Sequence, residues 1–116
     1  MAYSFIAGED LTGKVGYAVK ADTDNKEVVL AGANEVAMGI LKNANTAGLA
    51  VGVAGLGERV LAKLGGTVEF GDKLKVKAGG TLVVAGGSGD DNVIAEAQED
   101  GASGDLIYVV VEKFIK

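Results

Sequence analysis

Three observations predict an all-β fold, a small β-barrel or a two-sheet sandwich with little helix. Apolar and polar residues alternate in several short runs, other short runs are continuously apolar and valine-rich, and 19 glycines punctuate the chain between them. A period of two belongs to strands, and glycine at the breaks supplies the conformations that tight turns require.

Taken in order, residues 1–10 read as an N-terminal arm and residues 11–116 as a single β-barrel domain. The arm carries Tyr3, Ser4, Phe5 and Ile6, three of them large and apolar, ahead of the first confident strand. Burying such side chains is worth roughly 1.5–3 kcal/mol each. They are therefore candidates either to pin the arm to a partner or to complete the barrel as its first strand. Alternation is clear in Val15-Gly16-Tyr17-Ala18-Val19-Lys20, Arg59-Val60-Leu61-Ala62-Lys63-Leu64 and Lys73-Leu74-Lys75-Val76-Lys77. In the last run every second residue is a lysine, so one face is wet, and the pattern reads as an edge strand guarded against aggregation or as a binding stripe. The runs Val28-Val29-Leu30, Leu82-Val83-Val84 and Leu106-Ile107-Tyr108-Val109-Val110-Val111 suit strands covered on both faces. Turn formers lie between them at Ala21 to Asn25, Ala78 to Gly80 and Gly86 to Asn92. Only Asn43 to Ala50 and a single turn at Ala95 to Glu99 have helical character.

The two halves resemble each other. Sliding one over the other places Tyr17, Val19, Lys20 and Ala21 on Leu74, Val76, Lys77 and Ala78, and Val36 on Val93. Glu27 to Leu30 then matches Thr81 to Val84, and Leu49 to Val53 matches Leu106 to Val110. This order predicts an internal duplication of one strand–turn–strand–strand–loop–strand unit, since neither copy buries its apolar face alone.

Composition narrows the function. The chain has no histidine, cysteine or tryptophan. It therefore lacks the usual general base near neutral pH, the usual soft metal ligand and the best thiol nucleophile. Ser4, Ser88 and Ser103 have no histidine to activate them, which rules out the usual catalytic triad. The expectation is a non-enzyme with no metal or organic cofactor. Asp22-Thr23-Asp24-Asn25-Lys26 opens like a calcium loop, but Lys26 stands where an oxygen ligand belongs. Gly86-Gly87-Ser88-Gly89-Asp90-Asp91 reads as a flexible loop, and the pairs Glu9-Asp10 and Glu99-Asp100 as surface solvation. A net charge of −5, with cations interleaved among carboxylates, argues against nucleic acid as a partner. No apolar run nears the roughly 20 residues that span a bilayer, and the start lacks the basic region of a signal peptide. The absence of cysteine fits synthesis in a cytoplasm.

The stretch Gly65-Gly66-Thr67-Val68-Glu69-Phe70-Gly71-Asp72-Lys73-Leu74-Lys75-Val76 is followed by Gly80-Thr81-Leu82, then Val93-Ile94-Ala95-Glu96-Ala97, then Gly104-Asp105-Leu106-Ile107-Tyr108-Val109. In this order the chain resembles the bacteriophage head decoration, or capsid cement, family. Val36-Ala37-Met38-Gly39-Ile40-Leu41 and Gly48-Leu49-Ala50-Val51 carry matching elements in the first half. The resemblance runs from about Leu11 to Val111 and rests on spacing and small residues. It implies a structural virion protein, commonly a homotrimer, that binds the major capsid protein on the capsid exterior and stabilises the head at symmetry axes between capsomers. Residues 1–10 match no arm of that family, and Tyr3, Ser4, Phe5 and Ile6 are the candidate capsid-binding residues. The alternative is a biotinyl or lipoyl carrier barrel. That reading needs a modifiable lysine at a hairpin tip, and neither Ala78 to Gly80 nor Asp22 to Asn25 centres on one.

Overall fold

The computed structural model describes residues 2–22, 27–85 and 91–115, with side chains at 4–22, 27–85 and 91–112. Among them the alternation becomes ten strands and no helix. The first half supplies β1 (Ala2–Ile6), β2 (Ala18–Asp22), β3 (Glu27–Leu30), β4 (Gly39–Leu41) and β5 (Ala50–Ala54). The second supplies β6 (Arg59–Lys63), β7 (Lys73–Val76), β8 (Leu82–Val84), β9 (Asn92–Ala97) and β10 (Leu106–Ile115). Each half makes its own antiparallel sheet, ordered β1-β5-β4-β2-β3 and β6-β10-β9-β7-β8. The second order is the first moved on by one copy. The duplication suggested by the sequence is therefore present in the topology.

Strand pairing sets the register of that duplication. Val19 pairs with Leu30 and Gly39, while Leu74 pairs with Val84 and Ala95, so Val19 corresponds to Leu74 and not to Val76. The loop before β7 (residues 64–72) is two residues shorter than the loop before β2 (residues 7–17), which accounts for the slip. A shift of two keeps every side chain on its own face, so the sequence pattern survived the error.

The core divides along the same line. Ala7, Leu11, Val19, Val28, Leu41, Val51 and Val53 form a buried cluster confined to the first half, with Phe5, Leu30, Met38 and Ala44 packed against it. Successive strand residues point to opposite faces, so Ala18, Ile40 and Ala54 emerge on the other side of the first sheet. There they join Ala62, Leu64, Leu74, Leu82, Ile107 and Val109 of the second half in a larger cluster. The result is a two-sheet sandwich whose shared core uses both halves. Backbone bonds cross the seam from Ala18 N to Gly80 O (2.8 Å), Asn34 N to Val76 O (2.8 Å) and Lys63 N to Gly16 O (2.9 Å). Asn92 adds two more, donating its backbone N–H to Asn34 Oδ1 (2.9 Å) and its side-chain amide to Asn34 O (2.8 Å).

Several sequence expectations are corrected. The sandwich form is adopted and the barrel is not. Single parallel bridges, Ala7 to Val28 and Leu64 to Leu82, draw the ends of each sheet together at one point. Beyond these bridges β3 and β8 make no ladder with β1 and β6 among the described residues, and neither sheet closes. Ala95 to Ala97 belong to β9, not to a helical turn, because Ala95 and Ala97 are buried beneath the ladder with β10. Asn43 to Leu49 form an irregular loop whose Gly48 takes a φ of 86°. β7, read as an edge strand, lies between β9 and β8. Its lysines serve ion pairs on a wet face.

Candidate functional site

The arm residues form a strand of the first sheet. β1 pairs antiparallel with β5, with Tyr3 opposite Val53, Ser4 opposite Gly52, Phe5 opposite Val51 and Ile6 opposite Ala50. Alternation separates them: Ser4 and Ile6 share a face and are exposed, Ile6 at 40%, while Phe5 packs against the first cluster. The side chain of Tyr3 lies outside the described residues. Just beyond, Ala7 is fully buried and its N–H donates to Leu49 O (2.9 Å), so the segment enters the fold at once. β1 is the end strand of its ladder, and the bridge from Ala7 to Val28, with Gly8 N donating to Val28 O (2.7 Å), brings β3 against the end of its outer edge.

A second feature escaped sequence reading. Where the sheets meet, a cleft of about 230 Å³ is lined by Val15, Leu41 and Lys42 from the first half and by Arg59, Val60, Leu61 and Tyr108 from the second. Arg59 and Leu61 share the exposed face of β6 because Val60 and Ala62 between them are buried. Leu61 lies opposite Tyr108 in the ladder with β10. The Arg59 guanidinium stacks on the Tyr108 ring at 4.2 Å, and Lys14 sits 4.9 Å over the Tyr17 ring nearby. Lys42 Nζ contacts Glu58 Oε2 at 2.6 Å, and this hydrogen bond holds the Glu58 carboxyl below its ordinary value. Nothing in the sequence joins Val15, Arg59 and Tyr108. The seam between the duplicated sheets does so, and only the register of the duplication would have revealed it.

The remaining carboxylates that drew attention are spent on backbone. Glu9 Oε2 accepts from Leu30 N (2.8 Å) and Asp10 Oδ1 from Thr12 N (3.0 Å). Glu99 Oε2 accepts from Tyr108 N (2.8 Å) and Asp100 Oδ1 from Phe70 N (2.7 Å). The Thr12 hydroxyl and N–H together hold Asp10 below the usual carboxylate range. Residues 23–26 of the calcium-like turn and 86–90 of the glycine loop lie outside the described residues, while Asp91 meets Lys75 at 3.2 Å. Among the described residues no three acidic side chains gather into a group able to hold a metal ion. Among the described residues no helix is long and apolar enough to cross a membrane.

No family model matches the chain, and no curated protein sequence matches it. The fold does have a solved counterpart. The crystal structure of the N base of head fiber gp8.5 in bacteriophage phi29 superposes with a TM-score of 0.76, covering 97% of this chain and 93% of that one at 18% identity. At that identity the likeness is one of fold.

Proposed function

We propose that this chain is a non-enzymatic structural protein of a phage virion that binds the exterior of the head as a homotrimer and stabilises contacts between capsomers. The observation that carries the reading is the near end-to-end likeness to a phage head fiber base. The sequence resemblance to head decoration proteins supports it independently, since that rests on motifs and the likeness on architecture. The partner is the major capsid protein, and no nucleic acid, membrane or cofactor is required. A chain of net charge −5 has little attraction for packaged DNA.

The docking element we assign to the head is the exposed face of β1. Ser4 and Ile6 present one face of that strand to solvent, Ile6 as a large apolar side chain that a partner surface can cover. Because the next residues enter the core, deleting the segment would test folding and docking at once. Ile6→Lys tests docking alone, as Ile6 is 40% exposed. Co-sedimentation with coat-protein shells should weaken at least tenfold while the melting temperature stays within a few degrees. Full binding by Ile6→Lys, with full binding by Ser4→Lys, would remove β1 from the interface. Absence of any binding by the unaltered protein to shells of its own phage would remove the head-binding reading.

A further inference from the structure

A knob and a hole of opposite charge are displayed on different parts of the molecule. The knob is Phe70, exposed at 70%, the largest value among the bulky apolar side chains of the described residues. It stands on a turn fixed from three sides: Asp72 N donates to Glu69 O (3.0 Å), Glu69 N to Asp72 Oδ2 (2.9 Å) and Phe70 N to Asp100 Oδ1 (2.7 Å). The aromatic side chain is thus presented on a braced turn that also carries Glu69 and is held by the carboxylates of Asp72 and Asp100. Bracing lowers the entropy lost when such a group is buried in a partner.

The hole is the cleft at the seam. Its apolar walls include Val15 (39% exposed), Leu61 (37%) and Tyr108 (40%). Its volume of about 230 Å³ exceeds the roughly 150 Å³ that accepts a benzene ring in an apolar protein cavity. Its charge balance is cationic. Among the described residues no carboxylate pairs with Lys14, Arg59 or Lys63; of the nearby acids Glu58 is neutralised by Lys42, so these three cations outnumber the remaining two carboxylates, Glu99 and Asp105, which accept from the N–H groups of Tyr108 and Ala102. Lys63 follows Arg59 and Leu61 on the same face of β6, and Lys14 precedes Val15 at the rim.

We propose that the Phe70 turn of one copy docks into the Val15–Leu61–Tyr108 cleft of a second copy, with Glu69 and Asp72 facing Arg59, Lys14 and Lys63. Charge complementarity selects this chain's own acidic, aromatic turn as the occupant. Knob and hole are different patches, so the contact is heterologous and either closes into a ring or runs on as a chain. A closed ring of three gives the trimer, and the proposal rests on the homo-oligomeric part of the reading above.

Sedimentation velocity across a concentration series tests it. Phe70→Ser and Leu61→Asp, each retaining the β-type circular dichroism spectrum, should each weaken self-association at least tenfold. Mixed one to one, they keep one intact knob and one intact hole and should form a dimer that grows no further. Arg59→Glu should weaken assembly, and adding Glu69→Arg in the same chain should restore it. An unaltered chain that is monomeric at every concentration overturns the homo-oligomer and this contact together. An oligomer left intact by Phe70→Ser and by Arg59→Glu overturns this contact alone.

Discussion

Gly16 lies where the loop after β1 meets β6, with a φ of 91°. A Cβ there would sit 2.7 Å from Leu106 Cδ2 and 2.9 Å from the backbone N of Lys63. Both the left-handed backbone and the close approach require glycine. Gly13, with a φ of 77°, has nothing within 4 Å of the same position. The two therefore separate strain from crowding. Gly13→Ala should cost only the backbone penalty of about 1–2 kcal/mol, while Gly16→Ala adds an overpacking cost of about 1–3 kcal/mol. Urea denaturation at constant m would read the difference as a lower midpoint for Gly16→Ala. Equal midpoints would mean that the Gly16 contact relaxes freely. At this scale the sequence was a fair guide to turns and a poor one to charges. It read Glu9, Asp10, Glu99 and Asp100 as surface solvation and missed that they hold backbone N–H groups, because those partners lie up to 30 residues away.

Among the strands, the face that packs in one half is wet in the other. Ala18, Ile40 and Ala54 of the first sheet occupy the positions that Lys73, Glu96 and Val110 hold in the second, as the shared pairing shows. The first three are buried against the second sheet, whereas Lys73 reaches Glu96 and Glu112, both at 2.7 Å. A charged face ends the stack after two units, as polar caps end repeat proteins. The alternating lysines were legible as a wet face. Their placement in the sheet was not, because β7 owes its interior position to β9, which follows only after β8 and a loop. Hydrogen bonds from Lys20, Lys42 and Lys73 hold Glu35, Glu58 and Glu96 below the ordinary glutamate value. The folded chain thus binds these protons less tightly than the unfolded chain. The associated stability is present above the unfolded value, near pH 4.3, and is lost as pH falls through the lowered folded values. Lys73 is raised, chiefly by Glu112 and then by Glu96, so its contribution holds below about pH 10.4 and fades as pH rises through its folded value. Thermal melts should be level through neutral pH and fall at both extremes. Glu96→Gln should shrink the acid decline, by no more than about 1 kcal/mol for so exposed a pair. An acid limb unchanged by that substitution would place the sensitivity elsewhere.

Across the whole molecule the duplication supplies two similar sheets, yet the packing does not leave two independent cores. The first sheet keeps a cluster of its own around Val19, Leu41 and Val53, but its other face, through Ala18, Ile40 and Ala54, is part of the core of the second. Sequence comparison reached the existence of the repeat because each strand keeps its own period. It missed the seam because contacts between copies depend on where Ala18 meets Gly80 and Asn34 meets Asn92, pairs that no periodicity encodes. Nor could it find the cleft, which exists only at that seam. A half of this size buries too little surface to be more than marginally stable by itself, and separating the sheets would bare Ile40 together with Leu74 and Ile107. The chain should accordingly unfold in one step, with the calorimetric enthalpy equal to the van't Hoff enthalpy. Ile40→Ala probes the seam directly, since its side chain is fully buried in the shared cluster. It should lower the stability of the whole transition by about 2–5 kcal/mol and leave it single. Two resolved transitions in the unaltered chain, or a split produced by Ile40→Ala, would show that the duplicated sheets remain separate folding units joined only by a surface contact.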